Sequence, residues 1–380
     1  MLLLLLFRLS KALIRFQYII CFYHMTFRNI FLKIVRMALL SQSGDGSMPS
    51  GHNGAYQDSE TPVRNTSHYL IAFARAHELS GEVAFSEAAL RCLDWLVKRN
   101  LYREGYTFHH RTSLGKDRCN GLIGPAWNME ALLFAAERYN RQDARDLARE
   151  IFLLHPFIPD IAVWKRVEPN GSLLTFDATF NHQLWFAACA APLAVDTLEA
   201  KMRIEAFLHG TAKNWQLARN GRIIHPLWLP KRRLRETVKR LVKPDYRRNV
   251  ISREIGYHAF NLQAFALFKL AGIRFPKHVE KRIHSALAYL NHPEFTQGIE
   301  KSEWGYPYNP PGWEVSVALM ILGDADPYAC RPWLERQISH SYDSKSQTLS
   351  CGTDDTETHT ARIYEVACLP DSIFNLDLTI

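Results

Sequence analysis

Residues 119–128 read Cys119-Asn120-Gly121-Leu122-Ile123-Gly124-Pro125-Ala126-Trp127-Asn128, and the run continues to Tyr139 apolar on nearly every side. A helix that is hydrophobic all round its circumference must be enclosed by other helices. The polar and aromatic residues of this one collect at its start, beside a turn. The same form recurs five more times. One copy lies upstream, Arg64-Asn65-Thr66-Ser67-His68-Tyr69, and four lie downstream: Phe176-Asp177-Ala178-Thr179-Phe180-Asn181-His182, Arg253-Glu254-Ile255-Gly256-Tyr257-His258, Tyr308-Asn309-Pro310-Pro311-Gly312-Trp313-Glu314 and Asp354-Asp355-Thr356-Glu357-Thr358-His359. Anchored on Asn65, Asn120, Asp177, Glu254, Asn309 and Asp354, the copies are 55, 57, 77, 55 and 45 residues apart. Internal similarity at such a period marks a repeat architecture, and this spacing suits two helices and two connections.

A second kind of helix falls between the copies, at residues 85–100, 144–154, 198–217, 278–290 and 328–340. In the first of these, Ala88, Ala89, Cys92, Leu93, Leu96 and Val97 share one face, with Glu87, Arg91, Asp94 and Lys98 opposite. That is the 3.6-residue period of an amphipathic helix. Strand-like alternation is confined to short pieces at 102–109 and 222–228. Enclosed helices alternating with amphipathic ones predict an inner and an outer ring. The expected fold is all-α: an (α/α)6 toroid, or six-hairpin barrel, with a few short strands in its loops. The competing architecture is an open helical solenoid, whose repeats contact only their neighbours.

If the ring closes, the starts of the inner helices share one mouth. Candidate binding residues there are Arg64, His68, Asn120, Trp127, Asn128, Asn181, His182, Trp185, His258, Asn261, Trp304, Trp313, His359 and Arg362. Aromatic faces beside amides, imidazoles and guanidinium groups suit a sugar, whose C–H patches stack on rings while its hydroxyls need donors and acceptors. Carboxylates at such a site suggest acid–base chemistry on a glycosidic bond, for which two carboxyl groups stand about 5–5.5 Å or about 6.5–9.5 Å apart. The catalytic candidates are Asp177 first, then Asp117 and Glu314. Against Asp177 stands the frequent use of Asp as a helix N-cap. No HExxH, CxxC pair or EF-hand loop, no GxxxxGK[ST] or GxGxxG loop and no GxSxG elbow occurs, so no metal site and no cofactor is expected.

The 380 residues are 47% hydrophobic and 22% charged, enough apolar material for a large core. Seven scattered cysteines in odd number do not form a disulfide framework, and reduced thiols point to a cytoplasmic protein. The net charge of +8 is concentrated. Ten Lys or Arg lie from Lys231 to Arg253, interrupted only by Glu236 and Asp245. This basic insertion near 218–253 accounts for the long interval in the repeat. It is either a solvated excursion or a contact for phosphate, on a lipid-linked substrate or an anionic membrane surface. No nucleic-acid motif accompanies it. Residues 1–40 mix an apolar run, 2–7, with Arg8, Lys11, Arg15, Arg28, Lys33 and Arg36. They make a poor span and a poor signal peptide. The expectation is a basic amphipathic segment that caps the ring or touches the inner membrane face, followed by the toroid over 41–370.

Three further stretches carry a resemblance. Asp45-Gly46-Ser47-Met48-Pro49, Gly51-His52-Asn53-Gly54 and Glu60-Thr61-Pro62-Val63-Arg64-Asn65-Thr66, with 119–132 and with Asp177, Asn181, His182 and Trp185, resemble the AglQ-type proteins of glycan-assembly gene clusters. The likeness runs from about 44 to 363 and implies a part in building or trimming a surface glycan. That family is in turn distantly similar to unsaturated glucuronyl and rhamnogalacturonyl hydrolases, which are (α/α)6 barrels. There an Asp followed four positions later by Asn is the acid–base element, a spacing that Asp177 and Asn181 share.

Three functions are therefore expected to compete for a carbohydrate substrate, with a uronic sugar favoured and the first of them, hydrolysis, the leading expectation. The first is a glycoside hydrolase-like enzyme. The second is a sugar isomerase or epimerase using His258, His182 or Tyr257 as base, and the third a non-catalytic glycan-binding toroid. Gln42-Ser43-Gly44-Asp45-Gly46 also matches turns of terpene-cyclase-like rings, but a polar, histidine-rich mouth is unsuited to a carbocation.

Overall fold

The computed structural model describes residues 24–98, 102–103, 105–227 and 229–379, the side chains of 24 and 230–233 excepted. In chain order the helices are α1 (Phe27–Ser41), α2 (Val63–Ser80), α3 (Val83–Val97), α4 (Ile123–Tyr139), α5 (Gln142–Leu154), α6 (Phe180–Cys189), α7 (Leu198–Asn214), α8 (Pro230–Val242), α9 (Pro244–Gly256), α10 (His258–Leu270), α11 (Lys277–Tyr289), α12 (Pro293–Gly298), α13 (Pro311–Val317), α14 (Arg331–Ser341), α15 (Thr356–Ala361) and α16 (Asp371–Phe374). The strands are β1 (His24–Thr26), β2 (Phe157–Ile158), β3 (Val163–Val167), β4 (Leu173–Phe176) and β5 (Asp377–Thr379).

The helices form the two expected rings. α2, α4, α6, α10 and α13 each pack on the next. The 3-10 turn Arg362–Cys368, which continues α15, packs on α13 and back on α2, so the inner circle closes. An open solenoid would leave its two ends apart. In α4 every residue from Ile123 to Met129 is buried, with Ala131, Leu132, Leu133, Ala135 and Ala136. The outer helices bury one stripe only: Phe85, Ala88, Ala89, Cys92, Leu93, Trp95 and Leu96 in α3, and Ala144, Leu147, Ala148, Ile151 and Phe152 in α5. Burying a Phe or Leu contributes about 1.5–3 kcal/mol, so each stripe holds its helix against the inner ring.

The sixth outer helix is α1. It buries Phe27, Ile30, Phe31, Ile34, Val35 and Ala38, and the Thr26 hydroxyl caps it by accepting from the Asn29 amide at 3.3 Å. β1 pairs antiparallel with β5, Met25 opposite Leu378. Phe27 lies 5.4 Å from both Trp313 and Phe374, which ties this helix to the fifth inner helix and to the chain's far end. The expected contact of residues 1–40 with a membrane falls, for 1–23, outside the described residues.

Two departures from simple helix pairs position the site. β2, β3 and β4 make an antiparallel sheet between α5 and α6, and β4 ends immediately before Asp177. The basic insertion folds as the helical pair α8–α9, whose last turn supplies Arg253 and the buried Glu254. No helix among the described residues is long and apolar enough to cross a membrane.

Candidate functional site

A cavity of about 360 Å³ opens where the inner helices begin. Its wall draws on every part of the ring. Asn53, Tyr56 and Asp58 come from the loop before α2, and Arg64 from that helix's first turn. Arg111, Lys116 and Asn120 precede α4, whose Ile123 and Trp127 also face in. Asn181 and His182 begin α6, and Arg253, Tyr257 and Phe260 lie around the start of α10. His225, Tyr308, Asn309 and Arg362 complete the wall. The volume is near the lower end of the range of about 300–1,000 Å³ for small-ligand sites, which fits a small sugar better than a polymer.

The most organised feature is a pair, Asp177 and His182. β4 delivers Asp177 to the turn before α6, where its carboxylate accepts three hydrogen bonds: from the Thr179 amide at 3.0 Å, the Leu122 amide at 3.1 Å and His182 Nδ1 at 2.8 Å. Burial alone would raise this carboxyl, but the His182 ring and the two amides outweigh it and hold the group below the usual carboxylate range. A carboxylate on Nδ1 fixes that nitrogen as the donor. Nε2 has no hydrogen-bond partner among the described residues, and the ring keeps a quarter of its side-chain surface exposed in the cavity. Gly121 makes the pair sterically feasible. Its φ is +64°, and a Cβ there would lie 2.5 Å from Asp177 Oδ2 and 2.7 Å from His182 Nδ1.

A second imidazole, His225, faces the same space. Residues 223–227 run beside the turn before α6: the His225 carbonyl accepts from the Phe180 amide at 3.1 Å, and the Leu227 amide donates to the Ala178 carbonyl at 3.0 Å. Burial lowers the His225 pKa to about 3, so the ring is neutral at pH 7. Three phenols lie beside it. The Tyr56 and Tyr257 hydroxyls are 3.0 Å apart, and Tyr308 donates to Asn53 Oδ1 at 3.0 Å. Burial pushes Tyr56 up to about 12 and Tyr257 well above the ordinary phenol value. They are neutral hydrogen-bonding groups, not phenolate bases.

The cations of the wall differ in whether they are neutralised. Arg64 lies 3.2 Å from buried Glu60 and 4.1 Å over the Trp127 ring. Arg362 is held by Glu314 at 2.7 Å and Glu365 at 2.5 Å. Arg111 pairs with Asp117 at 2.6 Å and Asp58 at 3.3 Å, and Lys116 pairs with Asp58. Arg253 has no carboxylate partner among the described residues. It lies 4.6 Å over the Trp304 ring, and its Nε is buried without a hydrogen bond. One guanidinium is thus left for an anion.

Of the residues expected at the mouth, Arg64, Asn120, Trp127, Asn181, His182 and Arg362 line the cavity. Asp177 stands behind His182. Asp117 clamps the 111–121 loop through Arg111, Arg166 and the Gly121 amide. Burial raises its carboxyl, but Arg111, that amide and Arg166 hold it low. Glu314 does not reach the mouth: it is fully buried against Arg362, and burial raises its pKa. His258 faces between helices, where Nδ1 accepts from the Ile223 amide at 3.2 Å and Nε2 donates to the Ala286 carbonyl at 2.9 Å. His359 is bonded to the Leu349 carbonyl at 2.8 Å, and His68 stacks on Tyr364 at 4.1 Å. Asn128 joins Ser67 to His110, Trp185 donates to the Phe260 carbonyl, and Asn261 donates to the Tyr257 carbonyl. Trp304 backs Tyr56 at 4.8 Å, and Trp313 packs on Phe27. None of these eleven groups, from Asp177 to Trp313, lines the cavity. A helix's first turn points in several directions, and only some of them face the ring axis.

Sequence reasoning missed Asn53, Tyr56, Asp58, Arg111, Lys116 and His225. All sit in loops, which have no periodicity to betray an inward face. The signal for His225 was the strand-like piece at 222–228, of which residues 225–227 pair beside the turn before α6. Arg253 and Tyr257 were inside a recognised copy of the repeat.

No family model matches the chain. It is 38% identical over 370 residues to the archaeal glycosylation protein Q of Haloferax volcanii, across 92% of this chain and 99% of that protein. The resemblance read from 44–363 therefore holds over nearly the whole length. Among solved structures, cellobiose 2-epimerase from Bacillus thermoamylovorans matches with a TM-score of 0.60 at 12% identity, over 90% of this chain and 98% of its own. An unsaturated glucuronyl hydrolase specific for heparin matches with a TM-score of 0.58 at 11% identity, over 93% and 98%. At such identities the likeness is one of fold, the helix-pair toroid.

Proposed function

The chain belongs to the archaeal glycosylation protein Q family, and we propose that it is a sugar isomerase or epimerase of glycan assembly acting on a hexuronic acid in the cavity at the ring's mouth. One observation carries this reading. The acid–base group exposed to the cavity is an imidazole oriented by a carboxylate, whereas Asp58, the one described carboxylate in the wall, is engaged by two cations. Glycosidases of the usual kind need two carboxyl groups flanking the bond. The second reading given by the fold's relatives, hydrolysis, has no such pair in this wall.

In the proposed reaction the sugar binds with its carboxylate on Arg253 and its hydroxyls on Asn53, Asn181 and the tyrosines. The unprotonated Nε2 of His182 takes the proton from the carbon next to the open-chain carbonyl. The C–H electron pair forms the C=C bond of an enediolate, and the carbonyl pair moves to oxygen. Arg64 and Arg362 stabilise that negative charge, preorganised by Glu60 and by Glu314 with Glu365. Return of the proton to the same carbon on its other face gives the epimer, and return to the former carbonyl carbon gives the ketose. A neutral His225 is suited to pass a proton between oxygens or to the second face. Asp177 is a positioning residue here, since it acts through His182.

Incubation with free hexuronates in D2O, followed by NMR, tests this. Deuterium at C2 of the epimer, or at C1 of the ketose, with the sugar skeleton intact is expected. Cleavage of an unsaturated hexuronyl disaccharide with no deuterium at C2 would show that the enzyme is a hydrolase.

A further inference from the structure

The helix α8 carries a feature that the sugar site does not use. Leu234, Val238, Leu241 and Val242 recur on successive turns, and they are 72%, 48%, 75% and 66% exposed. Four large apolar side chains in a row, with no described residue over them, are unusual on a protein surface. The opposite face of α8 is attached to α9. Arg240 donates to the buried Glu254 at 2.7 Å and to Glu236 at 3.0 Å, and the Tyr246 hydroxyl donates to Glu236 at 2.8 Å. The exposed stripe is thus fixed relative to α9. In the same helical pair Arg235, Lys243, Arg247 and Arg248 are exposed, and Asp245 is the single exposed acid described there, paired with Arg248.

We propose that α8 is an interfacial helix that seats this protein on an anionic lipid surface, with Leu234, Val238, Leu241 and Val242 entering the headgroup boundary. The pattern matches that partner: an apolar stripe flanked by cations on a helix of 13 residues, about 20 Å long, lying flat in the interface plane. The cations add electrostatic attraction to acidic headgroups. A protein partner fits less well, because four side chains fall far short of the roughly 800 Å² per side that a standard interface buries. α8 leads into α9, whose Arg253 lines the cavity, so docking holds the mouth of the ring beside the lipid. The inference is independent of the isomerase reading and stands or falls separately.

The test is co-sedimentation of the full chain with phosphatidylcholine vesicles and with mixed phosphatidylcholine–phosphatidylglycerol vesicles. Binding to the anionic vesicles, weakened by salt, is expected. The double variant Leu234→Glu/Leu241→Glu should bind roughly tenfold or more weakly, as should Lys243→Glu/Arg247→Glu. Leu198→Glu/Met202→Glu, at equally exposed apolar positions on α7, should bind as the parent does. All three alter exposed side chains, so the fold is retained and circular dichroism checks it. Undiminished binding by Leu234→Glu/Leu241→Glu, or equal binding to neutral vesicles, would overturn the proposal. So would a concentration-dependent dimer that Leu241→Glu dissolves, with no vesicle binding by the parent.

Discussion

Replacing Asp177 by Asn tests the imidazole at its weakest point. The carboxylate accepts from three donors, Leu122 N, Thr179 N and His182 Nδ1. The amide of Asn has one oxygen and must turn its NH2 toward at least one of them. With the NH2 in the Oδ2 position, which serves both the Leu122 amide and His182 Nδ1, the imidazole is the one of the two that can change. Its Nδ1 becomes the acceptor, and Nε2 then carries the proton into the cavity. The base has become a donor. A comparable Asp→Asn change behind the imidazole of the serine-protease triad costs about 10⁴ in kcat through the wrong tautomer. An exchange rate about 10³–10⁴ lower is therefore expected, or about 4–5.5 kcal/mol of barrier, with the KM for the sugar little changed. Stability should fall by about 1–3 kcal/mol, the usual cost of leaving a buried donor poorly matched. The linkage has a definite sign. The folded pKa of Asp177 is depressed, so its stabilisation is present above the unfolded value of about 3.9 and is lost as pH falls toward the folded one; the Asn variant lacks that component. The assay is C2 deuterium exchange by NMR, with chemical denaturation in parallel. His182→Ala should lose as much, and the double variant no more than either alone. A folded Asp177→Asn protein keeping a tenth of the exchange rate would refute the reasoning.

Arg253→Met should raise the KM for a hexuronate about 10- to 150-fold, the equivalent of about 1.5–3 kcal/mol for hydrogen bonds to a charged group, and leave binding of the neutral hexose unchanged; steady-state kinetics on the two sugars checks it. Gly121→Ala should abolish exchange and cost roughly 2 kcal/mol or more of stability, since it adds left-handed strain to a Cβ that meets both members of the Asp177–His182 pair; Gly121→Ser should be no better. His258 titrates at about 4 because burial lowers it, so it favours folding less as pH falls below the unfolded value of about 6.5. Protein carrying His258→Gln should consequently lose about 2 kcal/mol less stability than the parent between pH 7 and pH 5, measured by urea denaturation at each pH.

The ring was legible because its two helix classes differ in how much of their circumference they bury. The stripe of α3 announces an outer helix, and the all-round burial of α4 announces an inner one. The sixth outer helix was obscured because Arg28, Lys33 and Arg36 give residues 27–41 the look of a surface segment; Arg36 is exposed opposite Phe27, while Arg28 and Lys33 are half-buried beside the stripe. The site was legible in half. Sequence placed Asp177 and His182 five residues apart in one copy of the repeat, but it could not say which of the two meets the substrate. That depends on the turn after β4, which tucks the carboxylate under the amides of Leu122 and Thr179 and leaves the imidazole outside. Glu314 carried the right chemistry for catalysis, yet its partner Arg362 comes from the sixth inner segment, 48 residues away. Such a contact leaves no trace in local pattern.

A crystal structure with a bound hexuronate is the most direct measurement of the whole account. The sugar carboxylate should lie on the Arg253 guanidinium, with the carbon next to the carbonyl facing His182 Nε2. A sugar seated away from that imidazole, or with its carboxylate turned from Arg253 to another cation, would contradict it.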